Sequence, residues 1–221
     1  MFRLEKQIEY EGLASKIASI SHIKRLILER IKVVPMLDYA LRVDLGSRIG
    51  ISISTRELSQ KLGRVGLSEK EGENHPAWIK YTDRSQWNQE KQRLKVEHLL
   101  FHFEGNLLEF SEGNLFVFYK GKWFTPPSGT TILSGTMRAV MKIIIEMNTG
   151  MPVSERDCPL EWLKKGARSF FTSSLRGIVA LRAEDMAMIS IFQSQFSCSE
   201  WLEKHENEIL NMFQNSFPDI I

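Results

Sequence analysis

Two side chains 29 residues apart, Lys80 and Glu109, have the types that amine–carbonyl chemistry needs. Lys80 lies in Trp78-Ile79-Lys80-Tyr81-Thr82-Asp83-Arg84. Glu109 opens Glu109-Phe110-Ser111-Glu112-Gly113-Asn114-Leu115-Phe116. A lysine amine can condense with an aldehyde to a Schiff base and then shuttle protons beside it. A carboxylate against a heteroaromatic nitrogen keeps that nitrogen protonated, which makes the ring an electron sink. Together they suit pyridoxal 5′-phosphate. Two later segments, Leu133-Ser134-Gly135-Thr136-Met137-Arg138 and Phe171-Thr172-Ser173-Ser174, could serve its phosphate. The first puts the backbone N–H groups of Gly135, Thr136 and Met137 at a predicted helix start, where an anion is favoured. The second offers the hydroxyls of Ser173 and Ser174.

Each has a plainer reading. Lys80 also fits a surface lysine opening a basic helix with Arg84, Lys91 and Arg93. Glu109 fits an exposed carboxylate at a sheet edge, although Leu107, Leu108, Phe110 and Phe116 surround it with apolar residues. Ser134 is an ordinary N-cap type, and Ser173-Ser174 an ordinary polar turn.

The elements that must position these residues follow from periodicity. Apolar spacing predicts helices over residues 3–19 and 21–32, then strands over 39–45 and 50–54. Residues 62–76, rich in Gly, Glu and Asn and ending in His75-Pro76, read as a linker. Asp83 is a candidate N-cap for a helix to about residue 95. Residues 98–125 read as a β-meander closed by Pro126-Pro127. A helix over 135–148 follows, ended by Gly150. A strand (153–155), a helix (159–166), two strands (169–172 and 178–181) and a helical tail from about 197 complete the chain. The fold class is α+β, with mostly antiparallel sheet.

Composition narrows the function. The 221 residues, 43% hydrophobic and 25% charged, are those of an ordinary globular protein. A net charge of +2 argues against nucleic-acid or anionic-membrane partners. Cys158 and Cys198 have no metal or disulfide pattern, so no metal is expected and a cytoplasmic setting is. The N-terminus is too charged for a signal peptide, and the longest apolar candidate, Ile143-Ile144-Ile145, stops at Glu146.

Residues 77–182 resemble the large domain of the fold-type IV pyridoxal-phosphate enzymes: class IV aminotransferases and aminodeoxychorismate lyase. Glu109-x-Ser111-x-x-Asn114-Leu115-Phe116, Thr125-Pro126-Pro127, Leu133-x-Gly135-x-x-Arg138 and Phe171-Thr172-Ser173-Ser174 match family motifs in family order. The resemblance implies a two-lobed fold like that of D-amino-acid aminotransferase. Residues 1–76 would be a truncated small α/β lobe with linker, and 77–221 the pyridoxal-phosphate-binding lobe. Lys80 would be catalytic and hold the cofactor with Glu109, Gly135, Thr136, Met137, Ser173 and Ser174; Arg138 would be structural, with Tyr81 and Asn114 nearby. It also implies an amino acid or 2-oxo acid substrate and a homodimer, for which Trp123 and Phe124 could supply exposed aromatics.

The chain departs from the pattern as well. The Lys80–Glu109 interval is about one helical turn short, and residues 1–76 show no match to the family's N-terminal hairpin, so the small lobe is expected to be truncated. Gln7 stands where a histidine is expected, and Tyr10 where an arginine grips the phosphate. The leading expectation is an aminotransferase. The alternatives are lyase-type pyruvate elimination, a catalytically retired cofactor-binding homologue, and a nucleic-acid module on residues 78–95.

Overall fold

The structure is a computed structural model that describes residues 22, 25–29, 39–44, 50–55, 63–70, 83–128, 131–174, 176–182, 185, 189–190 and 192. The chain falls into two compact units, Met1–Leu58 and Ser59–Ile221. In the first, strand β1 (Tyr39–Asp44) pairs antiparallel with β2 (Gly50–Thr55), Tyr39 opposite Thr55. Residues 22 and 25–29 are helical, as the 21–32 periodicity predicts. The expected helix over 3–19, with Gln7 and Tyr10, and the expected helical tail lie outside the described residues.

The second unit is a mixed sheet with helices. Its strands are β3 (Val65–Glu69), β4 (His98–Phe103), β5 (Asn106–Phe110), β6 (Gly113–Tyr119), β7 (Lys122–Thr125), β8 (Val153–Glu155), β9 (Cys158–Pro159), β10 (Arg168–Ser173) and β11 (Gly177–Ala180). The helices are α1 (Ser85–Leu94), α2 (Thr136–Thr149) and the single turn α3 (Glu161–Lys164). The main path runs β11-β10-β6-β5-β4-β3, with β7, β8 and β9 branching from it. All pairs are antiparallel except β3–β4 and β7–β8. Two-residue loops set the meander: Glu104-Gly105 and Lys120-Gly121 all have positive φ, the twist that closes a tight hairpin.

Two expectations change. Residues 62–76 are not simply a linker, because Val65–Glu69 is hydrogen-bonded parallel to β4. The composition signal masked a short strand whose partner lies more than thirty residues on. The helix expected over 159–166 shrinks to one turn, since Cys158-Pro159 first pairs with Asn106-Leu107.

Alternation along β6 and β10 builds both faces of the core. Phe116 and Phe170 stack and pack with Val140, Met141 and Ile144 of α2. Leu115 and Phe171 face the other way, with Phe110, Leu107 and Val179. Trp123 and Phe124 are buried in these clusters, so they are core residues rather than exposed aromatics for a dimer. Buried Arg138 ties α2 to both neighbours, reaching Glu155 at 2.8 Å and the Pro126 carbonyl at 2.9 Å. The Thr125 hydroxyl donates to the Leu115 carbonyl at 2.8 Å. The Thr-Pro turn and the helix arginine are thus parts of one joint.

Candidate cofactor site

Three polar residues form a row across adjacent strands. Glu109 of β5 is opposite Asn114 of β6, and Asn114 is opposite Thr172 of β10. Directly opposed residues share a face, and Asn114 and Thr172 lie two residues from Phe116 and Phe170, on the side of α2. All three are buried, Glu109 at 8% exposure. The sheet-edge reading of Glu109 therefore fails.

The row grips the loop before α2. Glu109 Oε2 accepts the Leu133 N–H at 3.0 Å, and Asn114 Nδ2 donates to the Leu133 carbonyl at 2.7 Å. One residue is held at both ends of its backbone, and α2 begins three residues later. Ser111 carries a different load: its hydroxyl accepts the Leu99 N–H at 3.3 Å, and its carbonyl accepts the Arg84 guanidinium at 2.8 Å. The Glu-x-Ser-x-x-Asn spacing is thereby explained as one anchor to β4 and two to the loop.

Gly135, not Ser134, is the cap of α2, with extended backbone (φ −77°, ψ 135°) and no side-chain cap. Arg138 and Ala139 bond back to the Gly135 carbonyl. The N–H groups of Thr136 and Met137, earlier in that turn, have no carbonyl to reach within the helix. No acidic residue stands in the first turn to repel an anion. The motif offers the Gly135 N–H to a phosphate, and the geometry adds a separate reason for glycine at this position. A Cβ there would fall 2.0 Å from Asn114 Oδ1, so the glycine makes room for the carboxamide.

On β10 the expected hydroxyls separate. Ser173 Oγ accepts the Arg176 N–H at 3.0 Å and shapes the turn, while Ser174 is exposed. Sequence reasoning passed over Thr172, which lies in the row with a buried hydroxyl and, among the described residues, no hydrogen-bond partner. Buried polar groups are nearly always paired, so this orphan points to a ligand acceptor. Sequence reasoning also missed Lys70, just beyond β3. Its N–H donates to the His102 carbonyl at 2.8 Å, its Nζ donates to the Thr131 carbonyl at 3.1 Å, and that Nζ lies 3.6 Å from Glu109 Oε1. Nothing in the local sequence marks it, because β3 itself went unread.

Lys80 and Tyr81 lie outside the described residues. Just after them, Asp83 Oδ1 accepts the Ser85 N–H at 2.9 Å, which holds the Asp83 carboxyl below its usual range. The cap position itself is Arg84, whose guanidinium lies over Trp87. Trp87 packs against Phe101, and Lys91 pairs with Glu112. Among the described members of this basic and aromatic set, Arg84, Trp87 and Lys91 are engaged by their own fold, which weakens the nucleic-acid reading of 78–95. Burial pushes the Cys158 thiol up to about 12, so it is inert. Among the described residues no cluster of His, Cys, Asp and Glu could hold a metal.

The sequence pattern of the Amino-transferase class IV family matches residues 51–183, more than half of the chain. The chain belongs to that family, whose cofactor is pyridoxal 5′-phosphate. The fold is similar to that of a branched-chain aminotransferase from Thermoproteus uzoniensis solved with norvaline. That match has a TM-score of 0.71 at 18% identity, over 91% of this chain and 80% of that one. A candidate 4-amino-4-deoxychorismate lyase from Legionella pneumophila gives 0.65 at 15% identity, over 88% and 83%. A fold IV transaminase from Curtobacterium pusillum gives 0.52 at 19%, over 71% of this chain but only 58% of that one. None of the curated proteins compared matches in sequence.

The residues present fit the cofactor. A buried carboxylate can meet a ring nitrogen, an uncapped helix start can meet a phosphate, and an orphan hydroxyl sits on the same face.

Proposed function

We propose that this protein is a pyridoxal-phosphate-dependent aminotransferase moving an amino group between an amino acid and a 2-oxo acid, with Lys80 as its reactive amine. The observation that carries the reading is Glu109: a buried carboxylate in a central strand, held by Leu133 in the same contact that fixes the start of α2. When bound, the cofactor supplies an electron sink for the substrate carbon that bears the amino group. Glu109 keeps a proton on the ring nitrogen. The N–H groups at the start of α2, from Gly135, Thr136 and Met137, bind the phosphate, joined by hydroxyls of Ser174, Ser173 and Thr172. Lys80 takes and returns the proton on the substrate carbon. Its place in the site is supported by a short tether: Arg84, four residues on, is bonded to Ser111, two residues beyond Glu109.

The reading includes a homodimer, as the family resemblance implies, and a cytoplasmic setting, supported by the two cysteines without a pairing pattern. Among the described residues no helix is long and apolar enough to cross a membrane.

Borohydride reduction of cofactor-loaded protein is expected to fix a cofactor-derived mass on the Lys80 peptide, and Lys80→Ala is expected to abolish label and turnover. Label on another lysine refutes the assignment. An amino-donor screen then separates activities. Bleaching of the visible band by a donor supports transamination, whereas a band inert to every donor transfers support to lyase-type elimination or a retired homologue.

A further inference from the structure

Lys70 belongs to none of the motifs, yet among the described residues its ammonium is ion-paired with Glu109. Its side chain and that of Glu109 are only 12% and 11% exposed. A charge that buried persists only when paired and hydrogen-bonded. Here one loop contributes to the pairing of both groups. Thr131 gives its carbonyl to Lys70, Leu133 gives its N–H to Glu109 Oε2, and the ammonium stands 3.6 Å from Glu109 Oε1. Lysine, loop and carboxylate are thereby linked, joining β3 to β5 through the segment that leads into α2. At 3.6 Å the ammonium acts on Oε1 by charge rather than as a close hydrogen-bond donor.

We propose that Lys70 is a positioning residue of the cofactor site: it holds the Glu109 carboxylate in place and shares its negative charge with the cofactor ring nitrogen. This rests on the cofactor reading above. A carboxylate serving two cations pulls less strongly on the ring proton than one serving the ring alone, and the ammonium itself repels a protonated ring. Lys70 therefore sets how firmly the ring stays protonated, and with it the depth of the electron sink. A purely structural lysine would leave the ring's titration untouched.

The test uses Lys70→Gln, which removes the charge but can still donate to the Thr131 carbonyl, and Lys70→Arg, which keeps the charge. Each is loaded with pyridoxal 5′-phosphate labelled with ¹⁵N in the ring, and the ring resonance is followed against pH. In Lys70→Gln the midpoint is expected to rise by about one pH unit, tenfold in proton affinity, and in Lys70→Arg to stay near wild type. A second arm needs no cofactor. Unfolding constants of Lys70→Gln, Glu109→Gln and the double variant should depart from multiplicativity by roughly tenfold. An unchanged ring midpoint in Lys70→Gln, or a double variant multiplicative within about twofold, overturns the proposal and leaves the enzyme assignment standing. A wild-type protein that takes up no cofactor overturns the assignment, and the role of Lys70 with it.

Discussion

Glu109 and Glu112 are two carboxylates three residues apart in one hairpin, and the fold treats them oppositely. Glu112 sits in the β5–β6 turn among Lys91, His98 and Ser111, with His98 Nδ1 at 3.2 Å. Burial alone would push its carboxyl up. Hydrogen bonds from His98 and Lys91, with the Lys91 charge and Ser111, outweigh that and hold it at about 2. Its partners come from α1, β4 and the turn itself, so its work is to fasten the hairpin. Glu109 accepts a backbone N–H from a loop and faces an ammonium that stands off at 3.6 Å, in a row that ends at an orphan hydroxyl. Proximity in sequence thus says little about role. The partners that surround a carboxylate decide whether it fastens the fold or faces a ligand.

The sharpest way to break this contrast is to neutralise each carboxylate in turn. Glu112→Gln should destabilise the protein by on the order of 3 kcal/mol at neutral pH, from its lowered carboxyl, and leave turnover per folded molecule near wild type. The sign follows from the depression. The stabilisation is fully present above the unfolded value of 4.5 and fades as pH falls toward about 2. Urea midpoints against pH should therefore drop in acid for wild type and drop less steeply for Glu112→Gln, where Glu155, also held at about 2, still contributes. Glu109→Gln should act on turnover: protein that still folds and binds cofactor, with turnover lower by roughly 1.5–3 kcal/mol, one to two decades. If Glu112→Gln is the variant that loses turnover, the two roles have been exchanged.

Smaller effects sharpen the picture at α2. Gly135→Ala should cost about 1–3 kcal/mol through the clash with Asn114, and Asn114→Ala in the same chain should relieve part of it. Thermal unfolding of the pair shows this without any ligand; no relief would leave Gly135 only its place among the N–H groups at the start of α2. Smallest is Ser174→Ala. It should weaken cofactor binding by up to about tenfold, the loss of one hydroxyl contact, in equilibrium dialysis, and leave stability unchanged because Ser174 is exposed. Binding equal to wild type would move the phosphate hydroxyl to Thr172.

Much of the large unit was legible in the chain. The meander showed because its strands are joined by tight Glu-Gly and Lys-Gly turns, whose demand for positive φ is local. The helix over 136–149 showed because its apolar face repeats every three to four residues and Gly150 closes it. Glu109 and the start of α2 were legible as motifs, since each is a short run of residue types at fixed spacing. By contrast, β3 was hidden in a polar stretch, for this parallel strand is stabilised by a neighbour distant in sequence and carries little apolar character of its own.

The sequence by itself determined the local chemistry: an amine, a carboxylate, a helix start and a run of hydroxyls, each written within a few consecutive residues. Only tertiary structure decided which of them meet. That Leu133 is held by Glu109 and Asn114 together, that Thr172 completes their row, and that Lys70 stands behind the carboxylate all depend on strand register and on a loop crossing from one sheet neighbour to another. Register is a property of pairs of strands. A one-residue slip would send each of these side chains to the opposite face, and no single stretch of the chain records it.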